Sequence, residues 1–353
     1  VSLIESVSVL PVDIPLETPF EIALGTQESA QNLFVRIETA SGAVGIGEAS
    51  PLPPVTGASR DAAVEQARAA TDLLVGRDIA EYRVLVDEVR QAAPRMVSSS
   101  LAIEMALLDA VARERQISLA EIFGARPTPI TTDVTLSTVD PDTARERATA
   151  AAEAGYYALK VKVGDDLPSS LSRVRAAADA YPDAEITVDA NQGWSPAEAV
   201  RFCRELRNSG IDLKLLEQPV AASDVTGLAQ IRNQVTVPVA ADEAVFSPED
   251  ALRVIDNNAA DVINIKLAKS GLLGAQRIAA IANAANVDLM IGCMLETAVG
   301  LHAAAHVVAG IGGFTHIDLD GNDSHTRFFG GPTPSPTFTP SGPGHGIQPD
   351  LDW

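Results

Sequence analysis

The sequence predicts an α/β fold, a parallel (β/α)8 TIM-type barrel carrying an α+β capping domain. Three observations lead there. Eight short apolar runs recur between residues 132 and 321, at 132–137, 158–164, 186–191, 213–219, 237–243, 262–267, 288–293 and 316–321. They are rich in β-branched residues or leucine, and alanine-rich helical stretches fill the gaps, so strand and helix alternate. The ends of the runs carry Lys160, Lys162, Asp189, Glu217, Asp242, Lys266, Asp318 and Asp320. Lysine and aspartate are rarely buried unless paired or metal-bound, and such a barrel keeps its chemistry at the carboxyl ends of its strands.

Ahead of the barrel, residues 1–50 read as β-structure, alternating apolar and polar residues around a turn at Ser41–Gly42. Between the two alternating stretches, residues 17–31 (ETPFEIALGTQESAQ) are polar and irregular, and a covering loop is expected there. A second loop is expected at 50–59, where Pro and Gly cluster. Helical periodicity runs from Arg60 to about Phe123, and Gly124, Pro127 and Pro129 mark the junction with the barrel. After Gly321 the chain is rich in Pro and Gly. The expected units are a capping domain at 1–125, the barrel at 126–321, and a segment at 322–353 that packs back on the capping domain.

The chain has 353 residues, more than the roughly 250 that a barrel uses. Hydrophobic residues make up 46% and aromatic ones only 4%, so aliphatic side chains must fill the core. The formal charge of −21 argues against nucleic acid, which needs a basic footprint, and against anionic membrane surfaces. It also gives a weak field that attracts cations. Two cysteines, Cys203 and Cys293, make no disulfide scaffold and read as core thiols. The first residues alternate rather than form a signal peptide, and no apolar run reaches about 18 residues. A cytoplasmic protein is expected, as a homo-oligomer.

Asp189, Glu217 and Asp242 end three consecutive runs. Neighbouring strands stand about 4.8 Å apart, so the three carboxylates can converge and would then repel one another. A hard divalent cation resolves the repulsion, and Mg2+ is the expected cofactor. Lys160 and Lys162, at i and i+2, share a face of the second strand, and Lys266 ends the sixth. Strands two and six are opposed in an eight-strand barrel. A carbon held between them beside a carboxylate could lose a proton to one lysine and regain one from the other on the opposite face. Removing that proton creates an enediolate, whose charge the metal and Lys160 would stabilise. The base must be a neutral lysine, which a like-charged neighbour favours.

These residues resemble the enolase superfamily, specifically its muconate-lactonising subgroup with a lysine on each side of the site. The matching pieces are LKVKVG, TVDANQGW, LLEQPV, ADEAV and INIKLAKSG, and the similarity covers essentially the whole chain. The resemblance implies that Lys162 and Lys266 are the acid/base pair and that Lys160 is an electrostatic stabiliser. It implies Asp189, Glu217 and Asp242 as Mg2+ ligands. It also implies a capping domain whose loops, around residues 18–30 and 51–58, set specificity.

The eighth run offers Asp318 and Asp320, similar to the DxD motif with which dipeptide epimerases of this subgroup hold a substrate α-ammonium. A small-molecule dipeptide is therefore the expected partner, epimerised at its second residue. An o-succinylbenzoate synthase, an N-acylamino acid racemase or a muconate-type cycloisomerase on the same scaffold is the alternative, but none has an ammonium to bind. A non-catalytic barrel would not keep three carboxylates and three lysines. One departure concerns specificity. Gly25 aligns where Ala-Glu epimerases are expected to carry a loop arginine, and no arginine occurs between Val1 and Val35. An acidic second residue is not expected, while apolar and cationic ones both remain open. Glu296 reads equally as a pocket residue or a helix cap, and Asn191 as a group supporting Asp189. His302 and His306 share a helix face and read as packing.

Overall fold

The computed structural model describes residues 2–22, 25–94 and 96–353, without the side chains of residues 20–22. Strands Ile4–Ile22, Gly25–Thr39 and Val44–Ala49 form a three-stranded antiparallel sheet. The expected covering loop at 17–31 is instead the far end of the first hairpin. Phe20 pairs with Gln27 and Ile22 with Gly25, beyond a register shift that follows Pro15. Prolines at 15 and 19 remove ladder donors and hide the strand in the sequence. Ala23 and Leu24 of that segment lie outside the described residues. In the second expected loop, Pro53–Thr56 forms one helical turn, closed by Leu52 N–H donating to Thr56 Oγ1 at 3.0 Å.

Helix Val97–Glu114 packs against this sheet and is buried along most of its length. The approach is close because Gly45 and Gly47 face it. A Cβ at either position would come within 2.1 Å of the Ala106 or 1.9 Å of the Ala102 carbonyl oxygen.

Eight parallel strands then follow: Val134–Leu136, Ala158–Lys162, Glu185–Asp189, Leu215–Glu217, Val239–Ala241, Val262–Lys266, Asp288–Gly292 and Phe314–Ile317. They pair in sequence order, each with the next. All eight apolar runs thus become strands. Helices connect all eight in turn, and six of the helices begin on a side-chain cap, from Asp140, Asp166, Ser195, Asp224, Ser247 or Thr297. Between strands eight and one the closure is thin. Asp133 N–H donates to the Ile317 carbonyl at 3.1 Å, and Leu319 N–H to Thr132 Oγ1 at 2.8 Å.

After the eighth strand the chain runs back without a helix. His345 N–H donates to Asp109 Oδ1 at 2.9 Å, and Leu119 N–H to the Gly344 carbonyl at 2.8 Å. Glu17 N–H donates to the Ser324 carbonyl at 2.8 Å, tying the hairpin to the segment behind strand eight. Two buried carboxylates join the sheet and its helices to the barrel. Glu48 accepts from Thr297 N–H at 2.9 Å, Thr297 Oγ1 at 2.8 Å and Gly300 N–H at 2.9 Å, at the start of helix Ala298–Ile311. Glu104 accepts from Leu273 N–H at 2.7 Å. Among the described residues no helix is long and apolar enough to cross a membrane.

Candidate active site

Parallel register brings the strand ends together. Lys162 lies beside Asp189, and Asp189 beside Glu217, in adjacent strands. Asp242 follows the fifth strand directly. Donor oxygens of Asp189, Glu217 and Asp242 lie within 4.8 Å of one another, and all three residues are buried.

The lysines reach this cluster from different walls. Lys162 Nζ donates to Asp189 Oδ2 at 2.7 Å. Lys160 Nζ stands 2.7 Å from Asp318 Oδ2, 2.8 Å from Glu217 Oε2 and 3.3 Å from Asp189 Oδ2. Lys266 Nζ, from the sixth strand, stands 2.8 Å from Asp242 Oδ2.

Burial opposes charge throughout, and the neighbours decide where charge stays. Burial would raise Asp189, yet Lys162 and Lys160 bring it down to about 2. Asp242 is also held low against burial, by Lys266 and Lys269. Burial and the Asp189 charge together raise Glu217 to about 7. Lys266 rises above the ordinary lysine range although burial, the largest influence, lowers it, because Asp242, Glu217 and Asp189 together outweigh burial and the repulsion of Lys160. Among the protein's own groups, then, Lys266 is not held neutral by a like charge. Direct ion pairing dominates.

Glu217 Oε2 and Asp242 Oδ2 each face an ammonium group at 2.8 Å, from Lys160 and Lys266, and three buried carboxylates still converge within 4.8 Å. Converging buried carboxylate oxygens are what a hard cation satisfies. The donor set fits Mg2+.

Several supporting residues gave little sign in the sequence. Lys269 Nζ donates to Asp242 Oδ1 at 2.6 Å and to the Asn264 carbonyl at 2.8 Å. Asn264 Nδ2 donates to Glu217 Oε1 at 2.6 Å. Gln218 Oε1 accepts from Asp242 N–H at 2.9 Å. The available signals were spacing: Asn264 is i−2 and Lys269 i+3 from Lys266. Asn191 does stand at Asp189, donating from its backbone at 2.9 Å to Oδ1 and from Nδ2 at 3.2 Å to Oδ2. It also reaches Glu243, a second buried acid, at 3.3 Å. Asn191 and Gln218 both adopt positive φ, where the chain turns sharply off its strand.

A cavity of about 420 Å3 opens over this cluster, lined by Lys160, Lys162, Lys266, Asp318 and Asp320 among others. Asp318 Oδ1 accepts from Thr135 Oγ1 at 3.5 Å, and Asp320 Oδ2 from Thr135 N–H at 2.5 Å. Burial and Asp318 raise Asp320 to about 7. Cys293, expected as a core thiol, lines the cavity instead and offers its sulfur within 4.8 Å of both acids. Burial pushes that thiol well up. Cys203 is half-buried and pushed up to about 12 by burial.

Glu296 is not among the cavity residues, and it caps no helix either. Its Oε2 accepts from Met294 N–H at 2.5 Å, Thr297 is the helix cap, and burial with Glu48 raises it to about 8. Gly25 closes the hairpin opposite Ile22. Thr18, Pro19 and Gln27 from the 18–30 segment, with Leu52 and Val55 from 51–58, do line the cavity. So does one cation with no sign in the sequence, Arg147 of helix Pro141–Ala154. His306 and His302 pack away from it. His306 Nε2 meets the Ser341 carbonyl at 3.0 Å, and His302 lies against the Phe338 ring.

Known proteins match this arrangement along most of the chain. The signature described as "Mandelate racemase / muconate lactonizing enzyme, N-terminal domain" fits residues 4–124, and "Enolase C-terminal domain-like" fits residues 143–353. The chain is 39% identical over 316 residues to an L-Ala-D/L-amino acid epimerase of Populus trichocarpa, covering 88% of this chain and 75% of that protein. It is 37% identical over 314 residues to the L-Ala-D/L-Glu epimerase of Bacillus subtilis, covering 88% and 86%. Among solved structures, the dipeptide epimerase of Enterococcus faecalis complexed with Mg and L-Leu-L-Tyr superposes with a TM-score of 0.89 at 33% identity, covering 92% of each chain.

Proposed function

This chain belongs to the mandelate racemase / muconate lactonizing enzyme family, and on that premise we propose that it epimerises dipeptides at the α-carbon of the second residue. It is an isomerase of the racemase and epimerase class. The observation that carries the finer reading is the approach of Lys162 and Lys266 to one carboxylate cluster from opposed strands, with Asp318 and Asp320 in the same cavity.

In this reading Asp318 and Asp320 receive the free α-ammonium through charge-assisted hydrogen bonds. The second α-carbon then lies between the Nζ atoms of Lys162 and Lys266. One lysine, neutral, takes the α-proton. The other, charged, delivers a proton to the opposite face, and the configuration inverts. Negative charge grows on the two oxygens of the enediolate, and Lys160 stabilises it. Asp318, Glu217 and Asp189 raise Lys160 well above the ordinary range despite its burial, so it stays charged. Asp189, Glu217 and Asp242 would hold Mg2+, which supplies the Lewis-acid charge that makes an α-proton acidic enough to leave.

The second side chain points toward residues 18–30 and 51–58. Apart from Thr18, which Arg147 reaches, the described lining from those segments, Pro19, Gln27, Leu52 and Val55, carries no charge and meets no charged group among the hydrogen bonds of the described residues. A charged second side chain would be desolvated there without a partner. That favours an apolar second residue over a cationic or acidic one. An N-acyl substrate or a cycloisomerase substrate, each lacking an ammonium, would instead face Asp318 and Asp320.

The test is α-proton exchange in D2O with Mg2+ present, read by mass spectrometry across a dipeptide panel. Deuterium at the second α-carbon, with inversion, supports the reading. Exchange confined to N-acyl amino acids would overturn it.

A further inference from the structure

The cavity extends beyond the lysines to a wall under helix Pro141–Ala154. Ala150, Ala151 and Ala154 give that wall room, and Arg147, Glu17 and Asp323 give it charge. Glu17 and Asp323 reach the surface; burial and Glu17 raise the Asp323 carboxyl, and the Arg147 charge lowers it from beyond ion-pair distance. Arg147 is half-buried. Its guanidinium donates to Ser137 Oγ at 2.9 Å and reaches Thr18 Oγ1 at 3.5 Å. Among the described residues no carboxylate oxygen lies within ion-pair distance of it. A guanidinium has five N–H donors in a rigid fork, and two hydroxyls leave most of them free toward the cavity.

Position says which part of a dipeptide would meet it. Ser137 lies two residues beyond Thr135, roughly 6.6 Å further toward the mouth. Thr135 is the residue that holds both Asp318 and Asp320. Arg147 is thus tethered just outside the carboxylate pair that receives the α-ammonium. The side chain that starts from that ammonium-bearing carbon is the one within its reach.

We propose that Arg147 recognises an acidic side chain on the first residue of the dipeptide, so that the favoured substrates begin with Glu or Asp and end in an apolar residue. The assignment rests on the dipeptide-epimerase reading. A cationic first side chain would confront Arg147 directly. An uncharged one would leave the fork without the anion its geometry matches. Because the contact is made away from the reacting carbon, it should act on binding of substrate and transition state alike.

The experiment measures kcat and KM for Glu-Leu, Gln-Leu, Lys-Leu and Ala-Glu by α-proton exchange in D2O. It uses the Mg2+-loaded wild type, Arg147→Met and Arg147→Lys. Glu-Leu should exceed its isostere Gln-Leu by at least about tenfold in kcat/KM, mostly through KM. In Arg147→Met that ratio should fall toward one, and Arg147→Lys should restore part of it. A wild-type ratio near one overturns the assignment, as does Lys-Leu surpassing Glu-Leu. So does a loss in Arg147→Met that falls on Ala-Glu instead. In those cases exchange itself continues and the epimerase reading stands. Absence of exchange with every dipeptide would overturn that reading and the assignment with it.

Discussion

Lys160 of the second barrel strand and Asp318 behind the eighth meet at 2.7 Å, over the end of the first strand that lies between them. The same carboxylate therefore faces one fixed cation and, in the proposed reaction, a second one brought by the substrate. Asp318→Asn should lower kcat/KM for a free dipeptide by at least about a hundredfold, the scale for breaking a buried charge pair. Acetylating the substrate's amino end should cost the wild type a comparable factor. An acetylated dipeptide turning over as fast as the free one would show that Asp318 and Asp320 do not read the ammonium.

Lys162 and Lys266 should be separable. Each Lys→Ala variant should lose epimerisation by several orders of magnitude, as removal of a proton-transfer group does. Each should still exchange the α-proton of one stereoisomer, because one base remains on one face. Monitoring deuterium uptake by the L,L and L,D substrates separately reads this. Identical residual exchange of both stereoisomers in either variant would argue against one base per face.

Metal dependence should be complete. Chelation should abolish exchange and Mg2+ restore it. Asp242→Asn should weaken Mg2+ binding in calorimetry, independently of any turnover. Asn264→Ala should weaken it less, since Asn264 orients Glu217 rather than offering an oxygen of its own. Undiminished activity of metal-free wild type would remove the metal from the reaction.

At the second residue, Ala-Leu should surpass both Ala-Lys and Ala-Glu in kcat/KM. The uncharged lining from Pro19, Gln27, Leu52 and Val55 is the reason. Val55→Asp should narrow the gap between Ala-Leu and Ala-Lys. A wild type that prefers Ala-Lys would mean that an acid outside this described lining reaches the second side chain.

Acid should destabilise the fold partly through His325. Burial lowers this imidazole to about 4, and among the described residues neither ring nitrogen has a hydrogen-bond partner. The unfolded chain titrates near 6.5. Between those values the unfolded state binds more protons, so stability is complete above about 6.5 and falls as pH drops toward about 4. His325→Phe removes this contribution. Its Tm should fall less than that of the wild type between pH 7 and pH 5, measured by thermal melts in matched buffers. Parallel Tm-against-pH curves would show that His325 is not a source of the sensitivity.

The barrel was legible because its strands are short, apolar and evenly spaced, and their ends carry charge that an apolar core does not explain. The hairpin was not, because Pro15 and Pro19 interrupt the alternation by which a strand is recognised, while backbone pairing tolerates them at a register shift. Within the site, residues on the strand tips were readable from the sequence. Lys269 and Asn264 were not, because a lysine in a helix and an asparagine in a strand look ordinary until their partners, far away in sequence, are known. Arg147 was hidden for the same reason. It enters the cavity from a barrel helix, away from the loop segments whose composition marks them as the rim.

Glu48 has a bearing on how such proteins can be recombined. This carboxylate belongs to the small sheet, yet it is the acceptor on which a barrel helix begins, while Asn32 beside it holds the Leu295 carbonyl at 2.9 Å. Leu295 lines the cavity. The barrel cut away from its cap would leave the amides of Thr297, Gly300 and Leu273 without the acceptors they now have. The two halves are therefore expected to melt together, in one transition. A chimera that exchanges caps to change specificity must carry over carboxylates equivalent to Glu48 and Glu104. Matching the rim of the cavity alone would import a new selectivity and loosen the wall against which it acts.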